Sequence, residues 1–200
     1  MIINIVGIKT ASIIETICTC AAIGFTILFI ACIVRYVTNG GGSGTLFDPT
    51  AFYNPENFQI KGTLAASAVL CASFVGFDAV TTLAEEAKDP QKVMGKAIMG
   101  VVIGAGVIFA IVAYFSQIAW PEAYANIEDP DTGIFELFPH IGMSWLGTVF
   151  FVVDNCGSFV CALAGMGAVS RILYGMGRDN ILPKKFFGHM SKNGVPVYNL

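Results

Sequence analysis

Four long apolar runs limit what this chain can fold into. They cover about residues 11–34, 62–84, 97–119 and 144–170, and each is close to or above the roughly 20 residues that a helix needs to cross the hydrocarbon core of a bilayer. Only 12% of the residues are charged, against roughly 25% in a soluble domain. The sequence therefore predicts an all-α, polytopic membrane protein with one membrane domain and about four transmembrane helices.

The lysines and arginines between the runs predict the orientation of the chain. Residues 85–96 and 171–200 contain lysine or arginine, whereas residues 121–143 contain five acids and neither basic residue. Because cytoplasmic segments near the spans are enriched in lysine and arginine, we expect 85–96 and 171–200 to be cytoplasmic and 121–143 to be extracytoplasmic, in a cell-membrane protein. By alternation residues 35–61 lie outside, and the glycines of Asn39–Gly44 predict a flexible linker there.

Two further features concern the start of the chain and its cysteines. No signal peptide is evident, and the opening MIINIV resembles the tail of another span, which fits a piece of a longer membrane protein. The six cysteines lie within the apolar runs without the spacing of a metal or redox site. They are predicted to be packing residues, and no cofactor or metal is expected.

The second apolar run contains an unusual stretch, FVGFDAVTTLAEEAKDP, from Phe74 to Pro90. Gly76 precedes Asp78 within it, and glycine weakens a helix by roughly 1 kcal/mol relative to alanine. Irregular backbone at membrane depth is tolerated only where it lines a cavity or is buried in protein. Two interpretations remain open: a helix broken near residue 76 that exposes main-chain groups to a ligand, or a continuous helix with a packing glycine.

Two acids, Asp78 and Asp154, lie deep within the runs. A carboxylate at the bilayer centre costs at least about 2.5 kcal/mol on insertion scales, so such residues normally face a cavity and have a partner. No basic residue within the four runs can serve, since Arg35 and Arg171 lie at their ends. A proton, a cation, a substrate ammonium or a residue of other helices could neutralise them; simple hydrogen bonds to neighbouring helices are the structural alternative.

The residues after the second run predict a helix start and leave one role open. Asp89 and Pro90 form an N-cap and first-turn pair. Glu85 and Glu86 precede them and belong either to a solvated turn or to a gate. Small residues such as Gly100, Gly104 and Gly106 indicate a face for close helix contact in the third span.

The stretches SFVGFDAVTTLAEEAKDPQKVMGKAI and SRILYGMGRDNILPKKFF resemble the sixth-helix region and eighth-helix exit of the amino acid, polyamine and organocation (APC) superfamily of secondary transporters. NIVGIKTAS is similar to the turn into the fifth helix of that superfamily, and bacterial putrescine importers are the subgroup that the chain most resembles. The resemblance implies a partial inverted-repeat (5+5) transporter fold, with this chain covering about helices five to eight and its second span broken.

The resemblance also implies roles for particular residues. The substrate-binding main chain of helix six falls on Phe74, Val75 and Gly76, with Phe74 as an aromatic cover over the ligand. Asp78 matches a position that is often acidic near the substrate or coupling pathway, and Asp154 lies on helix eight. Asp78 is accordingly assigned to both substrate binding and coupling. The lysine that some proton-coupled relatives carry in helix five corresponds to Ala22 here, which speaks against a lysine-based proton switch.

These features lead to an expected function and its alternatives. We expect an ion-coupled secondary transporter, with proton or sodium as the coupling ion, that imports an amino acid or a polyamine such as putrescine; its partners are that small molecule and the lipid bilayer, with no nucleic acid. A non-transporting fragment or partner subunit is one alternative. An intramembrane enzyme using Glu85, Glu86 and His140 is the other, but the predicted topology places His140 on the opposite side of the membrane from both glutamates.

Overall fold

The computed structural model of the chain describes residues 8–55, 58–77, 80–82, 89–121, 123–127, 132–189, 191 and 199. All regular elements within these residues are helical. In chain order they are α1 (Ile8–Thr38), a 3-10 turn (Pro49–Ala51), α2 (Ile60–Ala72), α3 (Pro90–Ala119), α4 (Ala123–Asn126), α5 (Gly133–His140), α6 (Ser144–Arg178) and α7 (Lys184–Phe187). The predicted all-α class is confirmed.

Three of these helices are long and apolar enough to cross a membrane: residues Thr10–Thr38 of α1, α3 and α6. They account for all such helices in the described part of the chain. The second apolar run instead forms the 13-residue α2, which is about 20 Å long at about 1.5 Å per residue. Because the hydrocarbon core is about 30 Å thick, α2 is too short to span it alone.

The long helices extend beyond the apolar runs that predict them. The third run begins near residue 97, yet α3 begins at Pro90; the fourth ends near residue 170, yet α6 continues to Arg178. Apolar residues mark the part of a helix that meets hydrocarbon, whereas backbone hydrogen bonding continues until a capping residue ends it. The predicted helix start at Asp89 and Pro90 is observed, because the Asp89 carbonyl accepts hydrogen bonds from the N–H groups of Lys92 and Val93, both at 3.1 Å.

The described residues within Ile23–Val75 and Val101–Val152 form one compact unit with a hydrophobic core. Its buried residues come from the C-terminal parts of α1 and α3, from α5 and its C-terminal neighbour Ile141, and from the start of α6: Phe29, Ile33, Val37, Ile118, Ala119, Leu137, Phe138, Ile141 and Leu146. Away from this core, large side chains such as Ile27 on α1 and Ile103 on α3 are exposed. Exposed apolar surface of this extent is typical of helices that contact lipid or other membrane helices.

The acid-rich connection between α3 and α6 contains structure that the sequence analysis did not predict. Within it α5 buries Leu137 and Phe138 in the core, and the Phe138 ring packs edge-on against Phe29 of α1, with 6.3 Å between ring centroids. Helix α5 therefore packs into the core of the unit rather than forming an open loop.

Helix α1 ends in a Schellman motif, in which the residue after the cap adopts a left-handed conformation. Gly40 has φ +89°. The N–H of Gly41 donates to the carbonyl of Tyr36 at 3.1 Å, and the N–H of Gly40 donates to the carbonyl of Val37 at 3.0 Å. Two carbonyls that the end of the helix would leave unpaired are thereby satisfied.

The glycine segment continues as a packed turn against the end of α3. The Ser43 N–H donates to the Ile118 carbonyl at 2.9 Å, and a Cβ on Gly42 would overlap the same Ile118 oxygen. The prediction that Asn39–Gly44 is a flexible linker is therefore wrong: these glycines permit positive φ and a close backbone approach that other residues would prevent.

We expect Gly42→Ala to lower the unfolding temperature of the purified chain in detergent by clearly more than Gly44→Ala. Both residues have positive φ, +58° and +70°, so both substitutions carry the left-handed penalty of roughly 1–2 kcal/mol. Only Gly42 adds the overlap with Ile118, since Gly44 has no atom within 4 Å of an added Cβ. An equal decrease in unfolding temperature for the two variants would show that Gly42 does not lie against the Ile118 carbonyl of α3.

The described residues within Met1–Ala22, Gly76–Gly100 and Val153–Leu200 form a second compact unit. Helix α6 ends there in another Schellman motif, with Asn180 at φ +60°. The Ile181 N–H donates to the carbonyl of Met176 at 2.9 Å, and the Asn180 N–H donates to the carbonyl of Gly177 at 3.3 Å. Asparagine is one of the few residues besides glycine that adopts this conformation readily.

After that turn the chain packs back on the end of α6. Gly177 is buried, and a Cβ there would lie 2.6 Å from the carbonyl carbon of Phe187, which ends α7. The Asn199 amide donates to the carbonyls of Phe187, at 3.0 Å, and Ser170, at 3.4 Å. This contact explains part of the SRILYGMGRDNILPKKFF stretch in structural terms, with Gly177 and Asn180 setting the exit from the helix.

Candidate functional site

The first candidate feature is the end of α2, inside the second apolar run. The N–H groups of Ser73, Phe74 and Val75 each donate to the carbonyl three residues earlier, at 3.0, 3.2 and 3.1 Å. Bonds of this spacing tighten the last turn of a helix. Regular α-helix has ended at Ala72, so no continuous helix leads to Gly76.

Gly76 comes after this turn with φ +101°. Residues with a Cβ rarely adopt that conformation, whereas glycine does so readily. An added Cβ at Gly76 would meet no atom within 4 Å, so the glycine is required by the backbone rather than by a close neighbour. Of the two interpretations of Gly76, the structure agrees with the broken helix.

Phe74 and Val75, the other two residues of the predicted binding segment, have different surroundings. The Phe74 ring is half-buried and packs edge-on against Phe109 of α3, with 5.5 Å between centroids. It also lies 3.7 Å from where Gly106 would carry a Cβ. Val75 is 83% exposed. Whether Phe74 covers a ligand stays a prediction.

Phe109 has no sequence feature that predicts a role in the site, and Gly106 is predicted only as one of several small residues on α3. Of the predicted small face on α3, Gly106 contacts Phe74, whereas Gly100 and Gly104 have no atom within 4 Å of an added Cβ. A Cβ at Gly106 would make an ordinary van der Waals contact with the Phe74 ring. The contact between the Phe74 and Phe109 rings could not be predicted from the sequence, because the two residues lie 35 positions apart.

Asp154 is an exposed residue on α6. It lies ten residues after Ser144, the first residue of the helix, or about 15 Å along the axis at about 1.5 Å per residue. Among the described residues it makes no hydrogen bond or ion pair, whereas an ion pair at the far end of α6 joins Arg178 to Asp179 at 3.4 Å. The carboxylate is therefore exposed on an apolar helix, without a partner among the described residues.

Three predicted residues, Asp78, Glu85 and Glu86, lie outside the described residues. Their assignments to binding, coupling or gating stay predictions.

The remaining candidate features are a metal site, His140 and a groove between two helices. No group of three or more histidine, cysteine, aspartate or glutamate residues that could hold a metal occurs among the described residues. The exposed His140 stacks on Trp120, with 4.3 Å between centroids. A shallow groove of about 340 Å³ opens between α5 and α6, lined mainly by Phe135, Phe138, Pro139, Gly147 and Phe151, and none of the predicted site residues lines it.

Three membrane-length helices, together with a fourth apolar helix that ends inside its run, define a polytopic α-helical membrane protein. A sequence model of the amino acid permease family matches residues 1–200. The chain belongs to the amino acid permease family, and the predicted membership of the APC superfamily is confirmed.

Relatives of the chain in this family are named for transport. The chain is 27% identical over 198 residues to the low-affinity putrescine importer PlaP of Escherichia coli strain K12, covering 98% of this chain and 43% of that protein. It is 31% identical over 194 residues to the vacuolar cationic amino acid transporter 4 of Arabidopsis thaliana, covering 96% and 31%. It is 32% identical over 138 residues to the branched-chain amino acid permease BcaP of Lactococcus lactis, covering 68% and 29%.

The chain thus spans less than half the length of these curated relatives. No solved structure gives a significant match. The family and these relatives are named as permeases and transporters rather than enzymes, which removes the enzyme alternative.

Proposed function

We propose that this chain forms part of a secondary active transporter that imports a polyamine or a cationic amino acid across the cell membrane, driven by a proton or sodium gradient. The observation that carries the proposal is the interruption of α2 after Ala72, with Gly76 beyond it at φ +101°. Such an interruption within an apolar run is the arrangement by which secondary transporters present backbone groups to a substrate near the middle of the membrane.

The charge of the substrate is inferred from the acids. Asp154 projects from α6 without a partner among the described residues, and Asp78 is the other acid that lies deep within the runs. An acid at membrane depth normally has a partner, and a substrate with one or two ammonium groups would supply a positive one. Two relatives have names that specify putrescine or cationic amino acids, which fits this choice, whereas BcaP is named for branched-chain amino acids; the choice of a cationic substrate therefore rests on the two acids.

Orientation is part of the same proposal. Residues 85–96 and 171–200 are assigned to the cytoplasm and 121–143 to the outside, from the distribution of lysine and arginine. Glu85 and Glu86 would then lie at the cytoplasmic end of the pathway, where a gate could use them.

Uptake by a full-length protein that contains this chain tests the proposal. We expect labelled putrescine to accumulate in reconstituted vesicles with an imposed ion gradient, unlabelled lysine or arginine to compete with it, and leucine to compete weakly. The 200-residue chain alone serves as the control and should show no uptake above empty vesicles, because it spans less than half the length of the curated relatives that are named for transport. Strong competition by leucine with none by putrescine or lysine would contradict a cationic substrate, and accumulation without any gradient would contradict ion coupling.

A further inference from the structure

A short segment between α1 and α2 is held in place by one side chain of α3. We call residues 46–53 the aromatic strap. The Tyr114 hydroxyl donates to the Leu46 carbonyl at 2.9 Å and accepts from the Asp48 N–H at 3.1 Å. The Phe52 ring stacks on the Tyr114 ring with 5.0 Å between centroids. Three contacts to one tyrosine thus fix the strap at both its beginning and its end.

The strap also has internal hydrogen bonds that set its shape. The Asp48 carboxylate accepts from the Thr50 hydroxyl at 2.6 Å and from the Thr50 N–H at 2.9 Å. Both bonds lower the pKa of Asp48 below its ordinary value, and the bond from the Thr50 hydroxyl has the larger effect. The Asp48 and Pro49 carbonyls accept from the N–H groups of Ala51 and Phe52 in the 3-10 turn. The strap is therefore an ordered element with a charged, hydrogen-bonded side.

Large rings of this ordered element are exposed. Phe47 is 75% exposed, Phe52 73% and Tyr53 58%. An ordered segment that presents several apolar rings together marks a contact surface for a membrane or a protein. The combination of rings with the ionised Asp48 is amphipathic, as in segments that lie at a membrane surface.

The position of the strap along α3 selects the membrane surface. Tyr114 lies five residues before Ala119, the last residue of α3, or about 7.5 Å along the axis at about 1.5 Å per residue. Trp120 comes directly after the helix. Tyrosine and tryptophan at the end of an apolar helix are typical of the lipid–water interface, so the strap lies at the height of the lipid headgroups.

We propose that the aromatic strap is an interfacial anchor. Its exposed rings, above all that of Phe47, insert into the lipid–water interface on the side of the membrane where α1 ends at Thr38 and α3 ends at Ala119. Tyr114 holds the strap at that depth through its two hydrogen bonds. The partner is the bilayer that the three long helices cross, and the anchor does not depend on which substrate is carried.

Fluorescence quenching tests this anchor. The background is the full-length protein in which Trp120, Trp145 and any other tryptophans are replaced by phenylalanine. Phe47→Trp then provides a single fluorescent reporter in reconstituted vesicles. Tyr53→Trp is a second reporter in case the first variant fails to fold. We expect lipids brominated near the headgroup to quench the reporter more than lipids brominated near the chain end. Ile103→Trp, on α3 and eleven residues before Tyr114, calibrates a deeper position.

The remaining outcomes would overturn the anchor. Quenching of Phe47→Trp by aqueous iodide without quenching by brominated lipid would place the strap in water. Resistance to both quenchers would mean that another part of the protein covers it. Adding Tyr114→Phe to the reporter protein should weaken shallow lipid quenching and strengthen iodide quenching, because both tethering hydrogen bonds are lost while the ring remains; unchanged quenching would refute the role of Tyr114.

Discussion

Replacing Asp154 with asparagine is expected to reduce uptake of a cationic substrate by the full-length protein to near background. The substitution keeps the size and hydrogen-bonding capacity of the side chain and removes its charge. Losing one member of a desolvated charge pair costs about 2–5 kcal/mol, and a factor of ten corresponds to about 1.4 kcal/mol. We therefore expect kcat/KM from initial uptake rates to fall roughly 30-fold or more.

Two companion variants separate charge from folding. Asp154→Glu keeps the charge and should retain part of the uptake. Asp179→Asn is the matched control, because Asp179 lies directly after α6 but is an exposed residue paired with Arg178 at 3.4 Å; a surface pair of this kind contributes little. Protein amounts in the membrane are measured by immunoblot for each variant.

Asp78→Asn should have a similar effect, although its expected role comes from the sequence alone, since Asp78 lies outside the described residues. Normal uptake of putrescine by both Asp78→Asn and Asp154→Asn would refute the electrostatic basis of the proposed function. Loss in one variant only would assign the charge requirement to that residue.

The helices were predictable because they depend on composition over long windows. Runs of about 20 apolar residues leave few alternatives to a membrane helix, so α1, α3 and α6 contain the first, third and fourth predicted runs. Their ends were not predictable from apolarity, since Pro90 and Arg178 lie in polar sequence. Local capping chemistry located one of these ends correctly, at Asp89 and Pro90.

The glycine turn shows where composition misleads. A flexible linker and a Schellman turn use the same residues, and the difference depends on whether another helix packs against the turn. Glycine directly after a predicted helix does favour a C-terminal cap, so Gly40 could have been identified from the sequence. The approach of Gly42 to Ile118 could not, because it joins positions 76 residues apart in the chain.

The candidate site was predictable to a similar extent. Gly76 stood out because glycine beside a carboxylate in an apolar run requires an explanation, and its positive φ supplies one. The packing of Phe74 on Phe109 is a non-local contact between α3 and the turn after α2, and no periodicity within either segment indicates it. Sequence reasoning thus locates the break but not the residues that support it.

Replacing Gly76 with alanine is expected to have the other large effect, a loss of transport without loss of the folded protein. A residue with a Cβ held at an unfavourable φ costs of order 1–3 kcal/mol, and Gly76 has φ +101°. No atom lies within 4 Å of an added Cβ, so the cost is conformational and the chain can relieve it by changing the turn. The population with the native turn should then fall by roughly 5- to 150-fold, and initial uptake rates should fall with it.

Gly62→Ala is the control that isolates the turn. Gly62 lies in the first turn of the same helix, α2, and an added Cβ would meet Gln59 at an ordinary 3.9 Å. Alanine is a better helix former there by about 1 kcal/mol, so this variant should transport normally. Both variants should elute as monodisperse protein in size-exclusion chromatography. If Gly76→Ala transports as fast as Gly62→Ala, the positive φ after Ala72 has no part in substrate handling, and the backbone interruption on which the transporter proposal depends loses its functional meaning.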